Sequence, residues 1–192
     1  VKPGQRLVES TIAADLGVGR NAVREALQHL AQQGIVVGSA YKGMRVADLG
    51  PQQVEEVYSL RAALESFATL RALERGQLTD DVLDDLRGLV AEMEVASRVN
   101  SVTRMVELDT AFHDRVTSCA DHALVTPILK GLRQQVRIII ALSSRGSGLP
   151  GMVESHRTLL KALETRESRT VEAATRAHIL ESGDLLARLR AE

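Results

Sequence analysis

The sequence predicts a mainly α-helical protein in two parts, a winged helix-turn-helix over residues 1–48 and an all-helical bundle of about six helices over 49–192. Three observations predict it. Aromatic residues are only 2% of the chain while Leu, Ala and Val are plentiful and prolines number four, a composition for helices packed on helices rather than a sheet sandwich. Apolar residues recur at helical spacing, most clearly at Val23, Ala26, Leu27 and Leu30. Hydrophobic residues make up 44% of 192, enough for a real core.

Lys2 to Leu7 reads as a turn leading into a short helix whose apolar face is Ile12, Ala13 and Leu16. Gly17 ends that helix, Val18 begins the next segment, and helix, glycine turn, helix is the helix-turn-helix order. A further helix usually packs against such a pair, and no sequence before Leu7 supplies it, so the expectation is that this first helix is missing from the chain. The second helix places Arg20, Asn21, Arg24 and Gln28 opposite its apolar stripe, side chains suited to phosphate oxygens and base edges at the end that enters the major groove. After Gly34 the β-branched run Ile35 to Val37, a turn-like stretch over 38–43, and Met44 to Val46 predict a hairpin wing carrying Lys42 and Gly43. Charge is distributed to match: residues 1–47 hold six basic against three acidic side chains, whereas the rest hold 18 against 22.

Asp48-Leu49-Gly50-Pro51 breaks the pattern, and Pro51 suits the first position of a long helix carrying Val54, Val57, Leu60, Leu64, Phe67, Ala68 and Leu70. Thr79 caps a second helix reaching about Val99, and Ser101 starts a third that ends near Cys119. The fourth is predicted with Thr126 as cap, Pro127 in its first position, and an apolar face of Ile128, Leu132, Val136, Ile139 and Ile140. Residues 143–151 read as the clearest loop, and helices over about 152–165 and 169–190 finish the chain. No run approaches the roughly 18 apolar residues of a membrane span and no signal peptide is visible, so a cytoplasmic protein is expected. The single cysteine, Cys119, reads as a small buried hydrophobe.

Asp109 and His113 stand at i and i+4 and so project from one helix face, while His156 and His178 each follow polar residues inside otherwise apolar later helices. A carboxylate and three imidazoles are a ligand set for a divalent transition metal; singly, each histidine reads more readily as a hydrogen-bonded core residue.

The run PGQRL, then LGVGRNAVREALQHLAQQGIV, then KGMRV resembles the winged helix-turn-helix of the GntR family of bacterial transcription regulators, most specifically in V-R-E-A-L at 23–27 and Gly-Val-x-Arg at 17–20. The resemblance implies that Arg20 and Arg24 contact bases or nearby phosphates, that Asn21 sits at the phosphate backbone, and that Gly43 marks the wing tip near the minor groove. Gly19-Arg20-Asn21-Ala22 departs from that family's usual Ser-Arg-Thr-Pro, so the operator sequence is not transferable. Residues 51–192 are similar to the all-helical FCD effector domain of the FadR subgroup, through R-A-A-L-E at 61–65, L-D-T-A-F-H at 108–113, S-H-R-T-L-L-K-A-L at 155–163 and R-A-H-I at 176–179. In the metal-binding members the matching Asp and three His hold a metal, which implies Asp109, His113, His156 and His178 as ligands. Zinc is the first expectation, nickel or manganese the alternatives, and a small organic acid completes the coordination.

An arginine beside the ion would clamp the acid's second oxygen. Arg61 is the first candidate, against the competing reading of an ion pair with Glu65 at i+4, and Arg104 and Arg137 follow. The expected protein is a homodimeric repressor that binds double-stranded operator DNA under control of this effector, with no membrane contact. A regulator whose metal is structural or is itself the signal is the alternative. A metalloenzyme is disfavoured because no Glu-x-x-His or HExxH pairing supplies a general base.

Overall fold

The computed structural model describes residues 4–32, 34–39, 43–143 and 148–191, the side chains of 39, 141–143 and 189–191 excepted. It divides into two compact units, Val1–Leu49 and Gly50–Glu192. The expected mainly helical architecture is borne out in both.

The first unit runs β1 (Arg6–Leu7), α1 (Glu9–Leu16), α2 (Arg20–Gln32), β2 (Val36–Ser39) and β3 (Gly43–Val46). Gly17 at φ +65° closes α1, with Gly17 N–H donating to Ala14 and Val18 N–H to Ala13. This paired bonding needs a left-handed residue and turns the chain sharply into α2. The wing is a three-stranded antiparallel sheet in the order β1-β3-β2 rather than a hairpin alone. Residues read from sequence as a turn supply its third strand, with Arg6 opposite Arg45 and Leu7 opposite Met44. A two-residue strand has too short a pattern to show alternation; only its partner reveals it.

The core of this unit is Ala13, Val23, Leu27, Val36 and Met44, flanked by Leu7, Ile12, Leu30 and Ala31. Two residues assigned to apolar faces lie outside it: Ala26 is exposed and Leu16 is 68% exposed. The sheet and α1 cover only the side of α2 that holds Val23, Leu27 and Leu30, and Leu16 sits in the last turn of α1 before the chain swings away.

The second unit comprises α3 (Pro51–Glu74), α4 (Asp80–Arg98), α5 (Val102–Ser118), α6 (Val125–Ser143), α7 (Leu149–Thr165) and α8 (Ser168–Ala191). Thr79 Oγ1 accepts from Val82 N–H and Ser101 Oγ from Arg104 N–H, the caps expected for α4 and α5. At α6 the expectation fails by two residues. The helix begins at Val125, and the ring of His122 does the capping, its Nδ1 facing the N–H groups of Leu124 and Val125 at 3.3 Å each. Pro127 is tolerated inside the first turn because its missing N–H has no intrahelical acceptor there. Likewise α6 reaches Ser143 and α7 starts at Leu149, so both ends of the predicted loop are helix, while residues 144–147 lie outside the described residues. Cys119 is half-buried, its thiol donating to the Arg115 carbonyl.

α8 lies along α3, α4 packs on α5 and α7, and α6 packs on α3, α5 and α8. The α3–α8 approach depends on Gly183, where a Cβ would stand 2.6 Å from Tyr58 Cβ. The main core gathers Leu86, Met93, Met105, Leu108, Phe112 and Leu163 from α4, α5 and α7. On α3 the buried face is Val54, Val57, Tyr58, Arg61, Ala62, Glu65, Ala68 and Ala72, so the stripe turned inward includes two charged residues. Leu60 and Phe67, read as part of one apolar face, are about half exposed beside it, as is Ile128 on α6. The charged pair is buried because it has partners inside the bundle. No helix among the described residues is long and apolar enough to cross a membrane.

Candidate functional site

Asp109 and His113 stand one turn apart on α5, His156 lies on α7 and His178 on α8, and all four are buried. The imidazoles turn their Nε2 atoms toward one point. His178 Nε2 is 3.3 Å from His113 Nε2, and Asp109 Oδ1 is 3.4 Å from His156 Nε2 and 3.9 Å from His113 Nε2. One nitrogen from each ring falls within 4.8 Å of the others.

Each outer nitrogen is engaged. His113 Nδ1 lies 2.8 Å from Glu65 Oε2, His156 Nδ1 donates to the Met152 carbonyl at 2.8 Å, and His178 Nδ1 lies 2.7 Å from Ser155 Oγ. Such outer bonds set the tautomer and aim of a metal-ligating ring. With its proton on Nδ1, His156 Nε2 is a lone-pair acceptor; it is buried with no hydrogen-bond partner and faces a carboxylate oxygen. Two acceptors facing at 3.4 Å repel unless positive charge lies between them. Three nitrogens and one carboxylate oxygen around such a point fit zinc, and suit nickel or manganese with an expanded shell.

The electrostatics agree. Burial alone would raise Asp109, but the neighbouring imidazoles of His156 and His113 and the Arg61 guanidinium outweigh it and hold the carboxyl at about 2. Burial, with the neighbouring imidazoles and Arg61 adding to it, holds His178 well below the usual imidazole value, the neutral form that ligates.

The four residues open on a cavity of about 210 Å³ that Tyr58, Arg61, Ser155, Ile179 and Leu185 also line. Arg61 is 3% exposed, with its guanidinium 4.9 Å from the Tyr58 ring centroid and its Nε donating to Glu65 Oε1 at 2.7 Å. Arg61 thus pairs with Glu65 and also lines the cavity. Glu65 uses one oxygen for Arg61 and the other for His113. Although burial opposes its ionisation, Arg61 and His113 keep its carboxyl at about 2.

Arg104 and Arg137 are not brought to this cavity. Arg104 is half exposed and bonded to Glu92 and Glu107, and Arg137 is exposed on α6. Sequence reasoning missed Arg133, buried on α6 and bonded to Asp114 and, at 2.6 Å, to Thr117 Oγ1. Thr117 in turn donates to the His113 carbonyl at 2.7 Å, so Arg133 braces the turn that carries His113. It also passed over Ser155, adjacent to His156, and gave Glu65 a role only as the partner of Arg61.

In the first unit, Arg20, Asn21, Arg24 and Gln28 are all exposed on one side of α2. Arg20, Asn21 and Arg24 line a polar hollow of about 510 Å³ with Arg6, Glu9 and Gly43. Gly43, at φ +85°, opens β3, and its missing Cβ would lie 3.6 Å from the Arg6 guanidinium. Lys42 lies outside the described residues. Arg6 is a basic residue of this surface that the sequence did not single out, because β1 was not legible.

Comparison with known proteins places these features. The gntR family of bacterial regulatory proteins matches residues 1–46, and the FCD domain family matches residues 56–181. A probable D-xylose utilization operon transcriptional repressor of Paenarthrobacter nicotinovorans is 28% identical, covering 92% of this chain and 76% of its own length. The gluconate operon transcriptional repressor of Bacillus subtilis is 26% identical over 87% of this chain and 70% of itself. Among solved structures, Escherichia coli McbR/YncC superposes with a TM-score of 0.76 at 20% identity, covering 98% of this chain and 89% of that one. The chain therefore belongs to the GntR family of bacterial transcriptional regulators, in the branch whose C-terminal unit is an FCD domain, and is a regulator rather than an enzyme.

Proposed function

We propose that the chain is a cytoplasmic, homodimeric repressor whose grip on operator DNA is set by a small carboxylic acid bound beside a divalent metal. Residues 1–48 read DNA through Arg20, Asn21, Arg24 and Gln28 on α2, with Lys42 and Gly43 at the wing. Residues 49–192 hold the effector and the dimer contact. The observation that carries the reading is the convergence of three Nε2 atoms and Asp109, one of them a buried acceptor without a partner, at the end of a small cavity walled by an arginine.

Asp109, His113, His156 and His178 would hold the ion, which would supply an open coordination position and positive charge for a carboxylate. Arg61, which lines the same cavity, would offer its remaining guanidinium donors to the acid's second oxygen, and its Glu65 contact keeps it from swinging away. The apolar part of the lining, Ile179 and Leu185 among it, receives the rest of a small acid. Leu60, Leu64 and Phe67 on α3, Leu124 just before α6 and Ile128 on it leave apolar surface outward, with Phe67 edge-on to His122 at 5.5 Å; this face suits a second copy related by a two-fold axis. A ligand that binds one dimer arrangement better shifts the population toward it, and with it the affinity for a two-fold operator.

The test is native mass spectrometry and metal analysis of the purified chain, followed by thermal melting and operator binding with and without chelator and added carboxylates. One ion per chain, and a carboxylate-induced rise in melting temperature that chelation abolishes, are expected, together with a change in operator affinity. An ion that alters melting but leaves both operator affinity and carboxylate response untouched would reduce the metal to a structural element.

A further inference from the structure

Glu9 and Arg24 meet across the helix-turn-helix in a way that bears on how bases are read. Glu9 is the first residue of α1 and Arg24 lies just beyond the first turn of α2. Arg24 Nε donates to both carboxylate oxygens, at 3.1 and 3.2 Å, and Nη2 donates to Oε2 at 2.8 Å. The carboxylate therefore grips one edge of the guanidinium, the Nε and Nη2 edge. A guanidinium is a planar fork of five fixed donors, so gripping one edge also sets the plane and direction of the other.

The adjacent edge, formed by Nη1 and the second N–H of Nη2, is the one that can pair side by side with O6 and N7 of guanine. An exposed ion pair of this kind contributes little to folding, and Arg24 is about half exposed. Its charge matters more in place. Arg6, Arg20 and Arg24 line the same hollow as Glu9, and a carboxylate among them weakens attraction to phosphates of any sequence.

We infer that Glu9 is a specificity-determining residue of the DNA-reading surface, holding Arg24 in the orientation that reads a guanine while lowering sequence-independent affinity. The inference rests on the proposed reading that α2 enters the major groove. Glu9 acts through Arg24 and is a positioning residue. Loss of its charge strengthens non-specific binding, and loss of its grip weakens discrimination at one base pair.

The experiment starts from a duplex selected from a random library by the full wild-type chain. Binding of wild type, Glu9→Gln, Glu9→Asp and Arg24→Ala is then measured on that duplex, on its single base-pair substitutions, and on an unrelated duplex over a range of salt. Glu9→Gln should bind the unrelated duplex more tightly, with a salt slope steeper by up to about 0.9. At the base pair read by Arg24, its discrimination should fall from the roughly 5- to 150-fold of a bidentate pair to a few fold. Glu9→Asp keeps the charge but is one methylene too short for the grip, so it should lose discrimination while its non-specific binding stays near wild type. If Arg24→Ala loses discrimination at a base pair where Glu9→Gln and Glu9→Asp both keep it, the inference about Glu9 is wrong and the groove reading stands. If Arg24→Ala keeps discrimination at every position, Arg24 is no base reader and both fall together.

Discussion

Glu65→Gln is the substitution that bears most directly on the C-terminal site. Its two oxygens receive Arg61 Nε at 2.7 Å and face His113 Nδ1 at 2.8 Å, and the side chain is 2% exposed. Both neighbours are donors. A glutamine of the same shape offers one oxygen and one NH₂, so it satisfies either Arg61 or His113 and confronts the other with a donor. It also strips a buried guanidinium of its counter-charge, and breaking a buried pair in this way costs about 3–5 kcal/mol. The retained oxygen puts the expected loss near the lower end. For a chain of this size that corresponds to a fall of roughly 6–12 °C in melting temperature of the metal-free protein, at about 2–4 °C per kcal/mol. Independently, losing the outer partner of His113 should weaken metal binding by roughly 10- to 100-fold. Thermal melting after chelation gives the first quantity, and a zinc competition titration against a chromogenic chelator gives the second. A variant that melts within about 2 °C of wild type would show that the pair contributes little net stability. Unchanged zinc affinity would refute the role assigned to Glu65 in aiming His113.

Three further outcomes follow from the same geometry. His156→Ala removes the ring whose Nε2 has no partner and should abolish metal retention and carboxylate response together; full metal occupancy by elemental analysis would break the ligand assignment. Arg24→Ala should lower operator affinity by about 1–3 kcal/mol without altering metal content, and an unchanged gel-shift titration would remove Arg24 from the reading surface. Phe67→Glu places a charge in the outward apolar face of α3 and α6 and should shift the proposed dimer toward monomer in sedimentation velocity, while melting changes little because Phe67 is already 47% exposed; a dimer of undiminished affinity would move the interface elsewhere.

Local features were legible in the sequence because local rules make them. Glycine at Gly17 ends α1, Thr79 and Ser101 cap α4 and α5, and helical spacing puts Asp109 and His113 on one face, all within a turn or two of chain. The same rules failed where a partner from elsewhere decides the outcome. Arg6 and Leu7 are a strand only because β3 pairs with them, and His122 caps α6 where Thr126 was expected. Which face of α3 turns inward was also undetermined. Periodicity favours Leu60 and Phe67 as core, whereas the bundle buries Arg61 and Glu65, because His113 and Arg61 together compensate the Glu65 charge.

The four proposed ligands divide in the same way. Composition and periodicity identify a helical chain, and motif resemblance names four ligands; neither can say that four side chains from three helices point at one place. That convergence is a property of how α5, α7 and α8 pack. Packing likewise separates Arg61, drawn into the cavity by Glu65 and Tyr58, from Arg104, which two surface carboxylates hold outside. One-dimensional spacing determines which residues share a helix face, and burial with its hydrogen-bond partners determines which of those faces meet.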